Sequence, residues 1–233
     1  SAAIVAYRFN DAANAVYRFV WHIFCDWYVE LTKPVLQAEG DSAAKDEMRA
    51  TTAYIIDEIC KLLHPFMPFI TEELWAIKGA EGPARDSILA LAQWPDLTGM
   101  DNPAAEAEVG FIVDLVSEIR SVRAEMNVPG GTQMPIVIVG ATDQVRGWAL
   151  KWDGMITRLA RLSGITFATE PPPESAQMIV RGSVVSLPLS GVIDLEAEKA
   201  RLAKEIAKDE GEAKKIEGKL NNANFVSKAP EEV

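Results

Sequence analysis

The spacing of hydrophobic residues changes near residue 128, and this change limits the folds that the sequence can adopt. Up to about residue 127, apolar residues recur at intervals of three and four, which is typical of helices. After the segment NVPGG, short β-branched stretches follow, each bounded by Gly or Pro: MPIVIVG, GITFAT, QMIVRG and VVSLPL. From residue 192 the helical spacing returns in a charged, Ala-rich segment that continues to about residue 221.

The sequence therefore predicts a mainly α fold with three regions. Residues 1–127 are expected to form a helical bundle, with helices at about 7–34, 43–63, 68–77 and 103–126. Residues 128–191 are expected to form a small α/β unit, in which one helix lies between residues 143 and 162. Residues 192–233 are expected to supply a long helix, the first arm of a coiled-coil hairpin.

Charge and composition exclude several classes of function. The net charge of −11 argues against a protein that coats nucleic acid through bulk electrostatics, although it leaves room for a local basic stripe. No apolar run approaches the roughly 20 residues that cross a bilayer, and the opening SAAIVAYRFN lacks a signal core. The two cysteines are too few for a disulfide framework. We therefore expect a cytoplasmic protein without a membrane partner.

The stretch RFVWHIFCDWYVELTKP concentrates aromatic residues on a predicted helix. At 100° per residue, one apolar seam forms, and its width predicts burial against two or more neighbouring helices. Its members are Tyr17, Trp21, Phe24, Tyr28 and Leu31, with Val16, Val20, Ile23 and Trp27 beside them. Phe19 and His22 project on the polar side, where an exposed ring is a candidate platform for stacking an unpaired RNA base. The competing interpretation is that the aromatic residues serve packing alone.

The residues suggest a zinc site more strongly than a catalytic or nucleotide-binding motif. His22 and Cys25 lie three apart, and Cys60 and His64 lie four apart, so the four side chains are a conceivable tetrahedral zinc set. The apolar surroundings of Cys60 favour a core residue instead. The sequence contains no nucleophile elbow, phosphate loop or dinucleotide fingerprint, and VPGGT at 128–132 is interpreted as a turn before a strand. We therefore predict no metal site and no catalytic residue.

Four segments carry a resemblance to a known family. FCDWYVELTKP, LLHPFMPFITEELW, EIRSVRAEMNVPGG and NFVSKAPEEV together resemble the carboxy-terminal part of the bacterial valyl-tRNA synthetases, which are class I aminoacyl-tRNA synthetases. HPFMPFITEELW alone is similar to the valyl, isoleucyl and leucyl enzymes together, and the other segments narrow the resemblance to valyl. The likeness extends from about Tyr7 to the last residue.

The resemblance implies an anticodon-binding helical bundle, a small α/β piece and a coiled-coil arm that touches the tRNA body. Enzymes of this family join valine to its tRNA with ATP and Mg²⁺ and hydrolyse mischarged threonyl-tRNA in a separate editing domain. The class I signatures HIGH and KMSKS are missing here, and HIFC at 22–25 is only a near match. We therefore expect an inactive fragment that binds no cofactor itself. Its expected partners are valine tRNA and the catalytic and editing domains of the same polypeptide.

Two groups of basic residues are candidates for tRNA contact. Arg120, Arg123 and Asn127 close the EIRSVRAEMN helix and are candidates for anticodon recognition, with pairing to nearby glutamates as the alternative. On the last helix, an outward column of cations lies on a different face from an apolar seam with heptad spacing, formed by Leu195, Leu202, Ile206, Ala213, Ile216 and Leu220. The column comprises Arg201, Lys208 and Lys215, with Lys204 and Lys214 beside it. Such a column is suited to phosphates.

The end of the chain supports the interpretation as a fragment. Pro230, Glu231 and Glu232 look like the first turn of a second arm. The remaining alternative is a helical, coiled-coil module that pairs with a protein partner and binds no RNA, which the acidic total permits.

Overall fold

The structure is a computed structural model that describes residues 1–221. Their contacts form two compact units, one from Ser1 to Asn102 and the other beginning at Pro103. The predicted return arm near Pro230 lies outside the described residues. Within residues 1–221, no helix combines the length and the apolar character that a membrane-spanning segment needs.

The first unit consists of helices. They are α1 (Ala2–Val5), α2 (Phe9–Arg18), a π-helical segment (Phe19–Tyr28), α3 (Val29–Leu36), α4 (Ala43–Leu63), α5 (Pro68–Glu81) and a 3₁₀ turn (Leu89–Leu91). Helix α4 begins where the Ser42 side chain accepts a hydrogen bond from the Lys45 amide at 3.3 Å. Helix α5 begins with proline, whose missing N–H costs nothing in a first turn. Cys60, Trp75 and Leu89 form the buried centre that joins α4, α5 and the 3₁₀ turn.

The aromatic helix differs from its prediction in the middle. A continuous helical stretch does cover residues 9–36, but residues 19–28 have π geometry, in which Val29 donates to the Phe24 carbonyl five residues earlier. A π turn holds more residues than the 3.6 of an α turn, so the 100° spacing fails across this segment. The predicted burial of this apolar arc is wrong at three positions, since Tyr17, Trp21 and Ile23 are 58%, 54% and 57% exposed.

The second unit combines four strands with helices. Its elements are α6 (Pro103–Glu125), β1 (Met134–Val139), α7 (Asp143–Lys151), α8 (Asp153–Ala160), β2 (Leu162–Ala168), β3 (Ser175–Val180), β4 (Ser183–Pro188) and α9 (Leu195–Leu220). The sheet order is β2-β1-β4-β3, with β1 parallel to β2 and antiparallel to β4, which is antiparallel to β3. A crossover of two helices, α7 and α8, connects the parallel pair, where the sequence predicted one helix.

Helix α6 packs on the sheet of the second unit. Its buried face contains Phe111, Ile112, Leu115, Val116 and Ile119. In β1 alternate residues such as Ile136 and Ile138 are buried, as the period of two along a strand requires. In β4 three successive residues are buried, Val185, Ser186 and Leu187. The contacts thus group α6 with the strands, while the boundaries at residues 127 and 191 stay predictions. The mainly α class with a small α/β unit is confirmed.

Candidate nucleic-acid interface

Helix α9 has an N-terminal cap, and much of its apolar seam is exposed to solvent. The Asp194 carboxylate accepts hydrogen bonds from the amides of Glu196 and Ala197 at 3.1 and 3.0 Å. Along the predicted seam Leu202 is half-buried, whereas Ile206 and Leu220 are 58% and 63% exposed. A helix with this seam normally buries it against a second helix. The seam is therefore available for pairing as far as residues 1–221 are concerned.

The lysines predicted to contact tRNA lie on the exposed surface of α9. Lys204, Lys208, Lys214 and Lys215 are all exposed. Lys208 approaches Glu212 at 3.9 Å, a pair one turn apart with 73% and 58% of the two side chains exposed. A pair this open and long contributes little to stability, so a phosphate can displace the carboxylate. These ammonium groups remain candidates for phosphate contact.

Arg201 is in a different situation from these lysines. Its Nη1 lies 2.8 Å from Glu205, and its Nε lies 2.9 and 3.0 Å from the two carboxylate oxygens of Glu198. Its Nη2 donates to Glu198 and to the main-chain carbonyl of Glu125, at the end of α6. The carboxylates raise the pKa of Arg201, Glu198 foremost through its hydrogen bonds. Arg201 thus joins two helices of the second unit.

The arginines near the end of α6 also contact main-chain carbonyls. Arg123 is only 7% exposed and donates to the carbonyl of Thr132 at 2.7 Å and to that of Arg161 at 3.4 Å. Burial lowers its pKa, and the Arg161 charge lowers it further. The Nε of Arg120, which is exposed, donates to the Leu159 carbonyl at 3.0 Å. Burial thus removes Arg123 from the surface, and anticodon contact by Arg120 stays a prediction.

Asn127 lies two residues after the end of α6 and has a left-handed backbone conformation. Its φ of +52° is tolerated by asparagine better than by most residues. Its side chain is near enough to Glu198 on α9 to make a small contribution to the lowered pKa of that carboxyl. The structure therefore brings Asn127 and Arg201, predicted for separate roles, near the same carboxylate.

Phe19 and His22 are on the surface of the first unit. Phe19 is 38% exposed, and His22 Nδ1 lies 3.4 Å from Asp26 Oδ2. Both rings remain open to a nucleobase, and their role in RNA binding stays a prediction. Sequence reasoning missed Phe69, which is 91% exposed and lines a 440 Å³ pocket with His64 and Glu73. Its only sequence signal was an aromatic residue directly after the helix-starting Pro68.

The four residues considered for zinc have other surroundings. Cys60 packs against Trp75 and Leu89, and burial raises the pKa of its thiol. His64 Nδ1 lies 2.9 Å from the Thr71 hydroxyl. Among residues 1–221, no three histidine, cysteine or acidic side chains come together as a metal site.

Two family models match this chain, one over its amino-terminal part and one over its carboxy-terminal part. The model of the anticodon-binding domain of tRNA ligases matches residues 1–138, and that of the valyl tRNA synthetase tRNA binding arm matches residues 194–233. The chain belongs to the family of tRNA-ligase anticodon-binding domains. The resemblance inferred from its motifs is thereby confirmed.

Individual relatives make the relationship more specific. The chain is 49% identical to the valine–tRNA ligase of Bradyrhizobium diazoefficiens, 51% to that of Brucella suis and 49% to that of Agrobacterium fabrum. These alignments cover 99%, 99% and 100% of the chain but 27%, 25% and 24% of the respective relatives. The chain thus spans about a quarter of the length of the curated relatives that it matches.

Proposed function

We propose that this chain is the tRNA-binding carboxy-terminal region of a valine–tRNA ligase that acts in the cytoplasm. The rest of that polypeptide would supply valine activation with ATP and Mg²⁺, transfer to tRNA, and editing. The observation that carries the proposal is the match of residues 194–233 to a tRNA binding arm, on a helix whose lysines are exposed.

The proposal assigns different parts of the tRNA to the two ends of the chain. The family match over residues 1–138 supports contact with the anticodon loop, for which Phe19, His22 and Arg120 are candidates. The exposed lysines of α9 support contact with the backbone of the tRNA body. Contacts between lysine and phosphate do not depend on the base sequence. The arm therefore contributes binding affinity, and the bundle contributes recognition of the valine anticodon.

A footprint tests both assignments. The chain is mixed with valine tRNA, and backbone cleavage by hydroxyl radicals is compared with that of the same tRNA carrying changed anticodon bases. We expect protection of the anticodon loop and of a second site on the tRNA body. We expect the anticodon change to remove the first protection and to leave the second. Protection that is absent or identical for both RNAs would contradict anticodon recognition.

The exposed seam of α9 favours one alternative function. Apolar residues open along a helix suit a helical protein partner, as in a coiled-coil interaction module that binds no RNA. In our proposal the same seam pairs instead with a second helix of the parent polypeptide. An absence of tRNA binding, together with a concentration-dependent increase in mass, would favour the interaction module.

A further inference from the structure

Arg201 uses most of its hydrogen-bonding capacity within the second unit. A guanidinium has five N–H donors, and the contacts with Glu198, Glu205 and the Glu125 carbonyl engage at least four of them. A cation already in a forked arrangement with two carboxylates gains little by exchanging them for a phosphate. Arg201 is therefore a poor phosphate ligand, although it occupies the same outward column as Lys208.

The carboxylate that Arg201 holds is itself enclosed. The Glu198 side chain is only 12% exposed, far less than the 57% of Glu205. The pKa of Glu198 is lowered, chiefly by its hydrogen bonds from Arg201 and least by the nearby Asn127 side chain. The hydrogen bond from Arg201 to the Glu125 carbonyl thus ties this ion pair of α9 to the end of α6.

The end of α6 and the loop after it are held in place by hydrogen bonds. The Val128 amide donates to the Arg123 carbonyl at 2.9 Å, which closes the last turn. The loop that follows is held by Arg123 at the Thr132 carbonyl and by Arg161 at the Gly130 carbonyl. Other ion pairs of α9, such as Lys199 with Glu196 at 2.8 Å, join residues of the same helix.

We propose that Arg201, held by Glu198, is the positioning residue that fixes the direction in which the arm leaves the α/β unit, and that Arg201 does not contact phosphate. This inference rests on the proposed function of α9 as a tRNA-binding arm. Arg201 and Leu220 are 19 helical steps apart, a length of about 28 Å at 1.5 Å per residue. A 10° change at the base would move the tip by about 5 Å over that length, more than a phosphate hydrogen bond tolerates.

A distance measurement tests the positioning role without RNA. Spin labels are attached to cysteines at the exposed positions Gln177 on β3 and Ala213 on α9, in the full chain with Cys25→Ser. Pulsed electron paramagnetic resonance then gives the distribution of distances between the labels. We expect a narrow distribution, strong broadening in Arg201→Gln, and none in Lys208→Gln, the matched control that removes the same charge seven residues along the helix.

Conservative substitutions distinguish the forked hydrogen bonds of the Arg201 guanidinium from its charge. Arg201→Lys keeps the charge but loses the fork, so it should broaden the distribution as Arg201→Gln does. Glu198→Gln should broaden it as well, since the ion pair is lost. An unchanged distribution in Arg201→Gln, with the labels reporting normally, would overturn the positioning role.

The salt dependence of tRNA binding tests the second half of the inference. For whole valine tRNA, Lys208→Gln should lower the slope of log affinity against log salt by about one. Arg201→Gln should weaken binding several-fold and leave the slope as in the parent chain. A loss of slope equal to that of Lys208→Gln would place Arg201 on phosphate instead. If even the parent chain fails to bind tRNA, the proposed function fails, and the distance distributions alone decide whether Arg201 positions the arm.

Discussion

Asp57 is the acidic residue at the centre of an ion cluster in the first unit. Its carboxylate pairs with the ammonium of Lys78, and it accepts two hydrogen bonds from the Arg85 guanidinium at 2.9 and 3.1 Å. The three side chains are only 19–21% exposed. The Arg85 guanidinium also lies 3.9 Å from the centre of the Trp75 ring, so the ion cluster lies beside the buried core.

Asp57→Ala would leave two mostly buried cations without their counter-ion. Removing one partner of a buried pair costs about 3–5 kcal/mol, and the fifth of each side chain that water reaches reduces the expected cost to about 2–4 kcal/mol. The matched control is Asp46→Ala on the same helix. Asp46 pairs with Arg49 at 3.2 Å, but 72% of its side chain is exposed. The control should cost about 0.5 kcal/mol or less.

Urea unfolding measures both variants. Four of the six tryptophans lie within residues 1–102, so the change in tryptophan emission reports mainly on the first unit. Circular dichroism on the same samples shows whether the second unit unfolds separately. The reasoning is refuted if Asp57→Ala and Asp46→Ala shift the first transition equally.

Three further outcomes are expected. A Cβ at Gly110 would lie 2.5 Å from Nη2 of Arg181, a flexible side chain that can move aside but would disturb its pair with Asp114. Gly110→Ala should therefore raise the melting temperature of the second unit less than Gly147→Ala in α7, which has open space around it and should raise it slightly. Hydrogen bonds from Lys151 and from the Trp152 indole lower the pKa of Glu108. The Glu108 carboxylate therefore stabilises the fold above its unfolded pKa of about 4.3, and this stabilisation is lost on acidification. The stability difference between the parent chain and Glu108→Gln in urea titrations should therefore shrink below about pH 4. The isolated chain should show no valine-dependent exchange of ATP with pyrophosphate, since both class I signatures are missing, and exchange above background in a clean preparation would contradict the fragment interpretation.

Local patterns predicted most of the elements. The four β-branched stretches became the four strands, because alternation and bounding Gly or Pro are properties of neighbouring residues. Helix α4 has its predicted ends at both sides, with a serine cap at the start. The break between α7 and α8 was missed because Trp152 carries no signal of a helix end; only its backbone angles, φ −104° and ψ 13°, reveal it.

Long-range contacts could not be predicted from the sequence. The carbonyls of Thr132 and Arg161 that hold Arg123 are supplied by the path of the backbone, and side-chain spacing does not encode that path. The π geometry of residues 19–28 likewise has no counterpart in the apolar spacing. Reasoning from spacing therefore found the basic residues near the interface but could not distinguish those that hold the fold together.

Local pairing, more than the total charge of −11, decides where this acidic chain can meet RNA. Charges more than about 10 Å apart are largely screened near physiological salt, and Lys208 and Lys215 lie about that far apart on α9, at 1.5 Å per residue. Each lysine thus acts on the phosphate beside it almost independently of distant carboxylates. Within one screening length, the acids near the base of α9 pair with Arg201, and Glu212 holds Lys208 only loosely at 3.9 Å. In the proposed function, the acidic total should slow the approach to tRNA, while contact with phosphate depends on exposed lysines of α9 such as Lys208, whose carboxylate partner is 3.9 Å away.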